Sequence, residues 1–307
     1  MLNNFLSLIL PVFLSASFSC FNKTNSISME EGIKARPIEL KNGNLTVSID
    51  PQTGGRITSF RLGTDEMLIQ NQNGLTNYGS TFWTAPQSDW NWPPFPALHQ
   101  EAYTIVKQNK NYLEIESSPN APCGFQVKKI FRFGKNDNLE ITYELKNISK
   151  DIKKAGPWEI TVVPAGGLTL FPNGSKNNLK TSTLSFNQNE KYQFFFYDDQ
   201  VLQNQQKLFA FPKEGWLGHL NPNNLLFIKK IDIFSSEEVS PTHGLVEVYI
   251  SKKSKYMELE NHGKYQQLKP NESLKYRVNW YLKKLDGEFS TEINIDSIGE
   301  QISEIIQ

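Results

Sequence analysis

Apolar and polar residues alternate with period two through most of the chain. Leu45, Val47 and Ile49 share one face of an extended segment, Pro51 to Gly55 breaks it, and Ile57 and Phe60-Leu62 resume the pattern, which predicts a hairpin. Tyr103-Val106 with Tyr112-Ile115 form a second such pair around Asn109-Lys110-Asn111, and Phe125-Phe133 with Leu139-Leu145 a third around Gly134 to Asn138. Further strands are predicted at Glu159-Val163, Leu208-Phe211, Leu225-Ile233, Leu245-Ile250, Tyr256-Glu260 and Tyr276-Leu282. Helical periodicity is confined to Asp296-Ile306, where Ile298, Ile302 and Ile305-Ile306 fall on one stripe. The fold class that follows is all-β, in antiparallel strands, with a short C-terminal helix. No internal repeat or composition break marks a second domain, so one domain is expected over residues 37–285, followed by a tail at 286–307.

The N-terminus breaks this alternation. Leu2 to Phe18 is uncharged, and its apolar run from Phe5 to Leu14 has the length of a secretory h-region and is short for a membrane span. Small residues lead into Ser17-Phe18-Ser19-Cys20, which is similar to a bacterial lipobox whose cysteine is acylated after cleavage. Residues 1–19 are therefore expected to be a lipoprotein signal peptide and residues 20–36, polar from Asn22 to Lys34, a flexible tether. The protein is then expected in the cell envelope, held to the membrane only through Cys20 and facing the periplasm or the exterior. An acylated Cys20 leaves Cys123 unpaired, as a small buried residue.

Charge narrows the partners. Lys and Arg total 32 and Asp and Glu total 32, so no net field draws the protein to nucleic acid. No Cys/His spacing resembles a zinc site and no cofactor motif occurs, so neither metal nor cofactor is expected, although carboxylates from distant strands can assemble a calcium site without a local motif. A monomer is expected.

Four segments, in order, resemble a bacterial family of unassigned role within the galactose-mutarotase-like superfamily, which shares its β-supersandwich with the aldose 1-epimerases. They are Gly54-Gly55-Arg56-Ile57-Thr58-Ser59-Phe60, the aromatic loop Phe82 to Pro94, Gly156-Pro157-Trp158-Glu159-Ile160-Thr161, and the stretch from Gly244 through Tyr256-Met257-Glu258-Leu259-Glu260 to Trp280. In catalytic members of that superfamily a His on a central strand acts as acid and a Glu near the C-terminus as base. The resemblance places Glu260 as the base, whereas the strand that should hold the His reads Pro157-Trp158-Glu159-Ile160-Thr161. Glu159 is the substitute on that strand, and His262 and His99 are alternatives in loops.

Mutarotation moves one proton off the anomeric hydroxyl and another onto the ring oxygen, so it asks for two titratable groups across a bound pyranose. Glu159 and Glu260 are the catalytic candidates, with Glu258 on the same strand face as Glu260. The Phe82–Pro96 loop carries three Trp, two Phe and four Pro, and its prolines argue against a strand through it. Trp83, Trp90 and Trp92, with Trp158, would stack on sugar faces, while Gln87 and Asp89 take hydroxyls; the same loop would serve equally as a packed plug. Arg56, after the Gly-Gly turn, and His262 complete the binding candidates, and Lys229-Lys230 fits a solvated strand end. Carbohydrate binding, an epimerase-like isomerase using Glu260, and a structural envelope lipoprotein are the three readings that remain.

Overall fold

Of the predicted hairpins, that of Phe125–Phe133 and Leu139–Asn147 is formed over its full length in the computed structural model, which describes residues 36–71, 76–174 and 182–307. Phe125, Val127 and Phe131 point inward from one strand and Leu139, Ile141, Tyr143 and Leu145 from the other, as period two requires. Lys129 shares that inward face. Its ammonium donates to the carbonyls of Gly54 (2.6 Å) and Gly55 (3.2 Å), and burial, then the Arg56 charge, lower its pKa to about 7.

Among the described residues all strands run antiparallel, in two sheets. The first has the spatial order Ile38–Asn42, Leu45–Asp50, Arg56–Leu62, Ser80–Ala85, Lys153–Pro164, Tyr256–His262, Val246–Ser251, Gln206–Ala210. The second runs Asn187–Gln188, Tyr192–Phe196, Leu168–Pro172, Trp216–Leu220, Leu225–Ile231, Ser273–Lys284, Leu139–Asn147, Phe125–Phe133, Tyr112–Glu116, Thr104–Asn109. The inner faces pack into one core that includes Phe60, Phe82, Val163, Phe227, Met257, Leu259 and Trp280. The helix Ile295–Ile305, capped by the Asn294 side chain, sets Ile298 and Ile302 against Leu168, Leu170 and Trp216 on the outer face of the second sheet. The outer face of the first sheet is left for other use.

Two expectations are corrected. The strand Ser80–Ala85 runs through the first third of the proline-rich loop and stops at Pro86. All six of its residues are buried, because it lies centrally with both faces covered, so it shows no alternation. Lys229 is not a solvated strand end: it points between the sheets, where its ammonium lies 2.9 Å from Glu159 Oε1 and donates to Thr161 Oγ1 and the Leu259 carbonyl. The expected signal peptide, Cys20 and the expected tether up to residue 35 lie outside the described residues.

Candidate functional site

The outer face of the first sheet holds a grid of polar and aromatic side chains set by strand register. Trp83, Trp158 and His262 lie in one row, since Trp158 pairs with both of the others. Two residues along comes the row Ile160, Glu260, Glu247, and two further that of Val162, Glu258, Tyr249, Lys207. Alternate residues of these strands, among them Val163, Leu259, Val248 and Leu208, go to the core. Burying so many polar groups is tolerable only if each finds a partner.

They mostly do. The Trp158 indole donates to Glu260 Oε2 at 2.8 Å, and its ring meets Trp83 edge-on at 5.0 Å and stacks on His262 at 5.1 Å. The Lys207 ammonium sits 5.1 Å from the Trp158 ring centre, 2.5 Å from Glu247 Oε2 and 2.9 Å from Glu260 Oε2. Glu247 Oε1 accepts from His243 Nδ1 and from the Gly244 amide, each at 2.9 Å. Glu258 accepts from the Asn77 amide at 2.9 Å.

These surroundings drive the three carboxyls apart. Burial opposes ionisation of Glu247, but the Lys207 ammonium, then the nearby His262 imidazole and the His243 contact, outweigh it and hold its pKa well below the usual carboxylate range. Glu260 goes the other way. Burial, followed by the charges of Glu247 and Glu258, pushes it well above that range in spite of Lys207. Burial raises Glu258 as well, and it lowers His262 to about 4, so that imidazole is neutral at pH 7. For Lys207 the two carboxylates overcome burial, and its pKa is raised.

A cleft of about 480 Å³ opens over this grid, lined by Trp83, Trp92 and Trp158, Tyr249 and Tyr256, and the polar side chains of Thr76, Asn77, Gln87, Gln205, Lys207 and Glu258. That volume suits a small ligand. Of the sequence candidates, Trp83, Trp92, Trp158, Gln87 and Glu258 therefore reach the cleft. Glu260 and His262 lie beneath its floor, fully buried, and Glu260 Oε1 has no hydrogen-bond partner among the described residues.

Five candidates are not brought to it. Glu159 is one residue out of phase with Trp158 and Ile160, so it points into the core, accepting from Tyr143 and Trp280 and paired with Lys229. It cannot face Glu260 across a sugar. Arg56 is buried behind Trp83, donating to the Tyr78 carbonyl and to His99 Nδ1. His99 Nδ1 also accepts from the Trp83 indole at 3.0 Å, and burial, then Arg56, lowers the histidine's pKa to about 3, so it is an indole anchor and not an acid. Its backbone is seated by Gly54, where φ is +66° and a Cβ would lie 2.2 Å from the His99 carbonyl oxygen. Asp89 is exposed outside the cleft, and Trp90 packs its ring on Trp83 while donating to the Thr84 carbonyl.

Lys207, Glu247, His243, Asn77 and Gln205 escaped the sequence reading. Glu247 carried one signal, an acidic residue between Val246 and Val248, but alternation alone places such a residue in solvent. Side-chain ligand atoms of His243, Glu247 and His262 lie within 4.8 Å of one another, close enough to consider a metal. His243 does not fit that role: its Nε2 accepts from the Gln87 amide at 3.3 Å, which leaves the proton on Nδ1, facing Glu247. His262 Nε2 stands 3.1 Å from Glu247 Oε1 but out of hydrogen-bond alignment. His243 and Glu247 form a hydrogen-bonded support for the cleft floor, and His262 joins it by stacking on Trp158.

The family described as "Domain of unknown function (DUF4380)" matches residues 35–283. Among curated proteins none matches the sequence. Solved structures share the fold at low identity. A galactose mutarotase related enzyme from Lactobacillus acidophilus is 11% identical with a TM-score of 0.60, covering 83% of this chain and 99% of its own. A galactose mutarotase-like protein from Lactobacillus casei is 9% identical at TM-score 0.59, covering 80% and 100%. Another so described, from Clostridium acetobutylicum, is 12% identical at TM-score 0.53, covering 80% and 95%. At such identities the likeness establishes the mutarotase-like sandwich and leaves activity to the site.

Proposed function

Since the chain belongs to the family described as domain of unknown function DUF4380 and has a galactose mutarotase-like fold, we propose that it is a carbohydrate-binding protein whose ligand enters the cleft over Glu258. The observation that carries this reading is the composition of the cleft. Indole and phenol rings wall it, Asn77, Gln87, Gln205 and Glu258 supply hydroxyl partners, and Trp92 stands at its mouth with 57% of its surface exposed. Apolar pyranose faces stack on such rings while ring-edge hydroxyls pair with amides and carboxylates.

Saturation-transfer NMR on the full chain tests it, with neutral, amino and acidic mono- and disaccharides. Transfer that is lost on Trp92→Ala supports the reading, and silence across the set overturns it.

A second reading, an epimerase-like isomerase, is favoured by one observation. Glu258 and Glu260 project from the same strand face with pKa values raised to different degrees, as a proton donor and acceptor pair requires. Accelerated interchange of sugar anomers, abolished in Glu260→Gln, would establish it; binding without faster interchange would leave a binding protein.

Export with a lipid anchor at Cys20 belongs to the same proposal and rests on the apolar run Phe5 to Leu14 and the Ser17-Phe18-Ser19-Cys20 segment. Incorporation of labelled palmitate that disappears in Cys20→Ala would support it, and equal labelling of both would refute it.

A further inference from the structure

Lys207 lies in the cleft, yet its charge is already matched. Its ammonium is 2.5 Å from Glu247 Oε2, and Glu247 is the carboxyl its surroundings keep ionised. Glu260, the other partner of Lys207, is the carboxyl that burial keeps protonated. His262 is neutral, and His243 holds a neutral tautomer between Glu247 and the Gln87 amide. Glu258 is what remains. It lines the cleft and is 95% buried, and among the described residues it forms no ion pair and accepts only from the Asn77 amide; burial raises its pKa, so its ionised form is the one that a cation beside it would stabilise.

Around this carboxylate stand Trp83, Trp92, Trp158, Tyr249 and Tyr256. Aromatic rings with one carboxylate make a poor site for an anion and a good one for an ammonium group, which the ring quadrupoles and the carboxylate attract together. Lys207 on the Trp158 ring shows that arrangement operating within the same cleft.

We infer that the ligand of this cleft carries a protonated amine, as an amino sugar does, seated against Glu258 among the rings of Trp83, Trp92 and Tyr249. This rests on the carbohydrate reading given above and adds the substrate class. A neutral sugar leaves Glu258 without a counter-charge in a dry setting, and a uronate places a second carboxylate beside it. Glucosamine is thereby preferred over glucose, and glucuronate is excluded. N-acetylation of the amine removes the preference, because it removes the charge.

The experiment is titration calorimetry of the full chain at pH 7 with glucosamine, N-acetylglucosamine, glucose, glucuronate and tetramethylammonium, repeated with Glu258→Gln and Trp92→Ala. Glucosamine is expected to bind about tenfold or more tighter than glucose or N-acetylglucosamine, a margin that cation–π and carboxylate contacts at a desolvated site supply. Glu258→Gln is expected to bring glucosamine down to the affinity that the same variant shows for glucose, and Trp92→Ala, at a position 57% exposed, to weaken glucosamine. Equal affinity for glucose and glucosamine overturns the amine inference and leaves the carbohydrate reading standing. Binding of tetramethylammonium with none of the sugars overturns the carbohydrate reading and keeps the amine site. No binding by any of the five overturns both.

Discussion

Glu247 and Glu260 stand directly opposite each other on neighbouring strands, and the Lys207 ammonium bridges them. Two carboxylates directly opposed in a sheet repel, and here the repulsion is avoided because Glu260 keeps its proton while Lys207 neutralises the ionised Glu247. Lys207→Met removes the ammonium and leaves Glu247 ionised without a counter-ion, which should cost about 3–5 kcal/mol of stability at pH 7. In that variant the folded pKa of Glu247 rises above its unfolded value, so stability should recover as pH falls towards the unfolded carboxyl range. Urea unfolding at pH 5 and pH 7 checks this, and a loss equal at both pH values would contradict it.

The wild-type protein should itself lose stability as pH rises above the unfolded range of Glu260. Its folded pKa is raised by burial, so the stability tied to its proton is complete below the unfolded pKa and declines until the pH has passed the folded one. One such proton gives a slope of about 1.4 kcal/mol per pH unit within that window. Glu260→Gln keeps the shape and removes the titration, and its stability curve should be flatter there by about that slope, as read from denaturant midpoints at successive pH values.

The Glu159–Lys229 pair lies on the core side of the same sheet, fully buried, with Tyr143 and Trp280 donating to the carboxylate. Lys229→Met alone should destabilise by about 3–5 kcal/mol, and adding Glu159→Leu should recover much of the loss, because a buried pair costs more to break than to replace whole. Ligand affinity should be unchanged in the double variant. A change in affinity larger than the calorimetric error would return Glu159 to the site.

Period two carried the sequence reading a long way where one face of a strand meets solvent. The Phe125–Phe133 and Leu139–Asn147 strands, alternately buried and half-exposed, were legible for that reason. Ser80–Ala85 is buried on both faces, and there the pattern fades. Glu159 illustrates the deeper limit. Its identity and strand were readable, but whether it faces core or cleft depends on one residue of phase, which only the register against Trp83 and His262 fixes. Trp92 and Glu258 were readable because a rigid aromatic loop, and a carboxylate between Met257 and Leu259, stand out locally. Lys207 was not, since its role comes entirely from two glutamates that sequence places 40 and 53 residues away.

Thr242 has φ +72°, a conformation unfavourable for any side chain and worst for a β-branched one, and it immediately precedes His243. The turn is pinned on both sides, by the His243 amide on the Ser240 carbonyl and by the Gly244 amide on Glu247 Oε1. Such strain, of order 1–3 kcal/mol, persists only where the surroundings over-determine the backbone. Here it delivers the imidazole to Glu247 and, through its Nε2, to the amide of Gln87 at the cleft wall. Thr242→Gly relieves the strain but adds freedom to the unfolded chain, so the net gain should be about 1 kcal/mol, or a rise in Tm of about 2–4 °C by calorimetry. Ligand affinity should hold, because the two flanking hydrogen bonds still fix His243. Loss of affinity alongside the higher Tm would mean that the strain itself, and not the bonds around it, sets the position of the histidine.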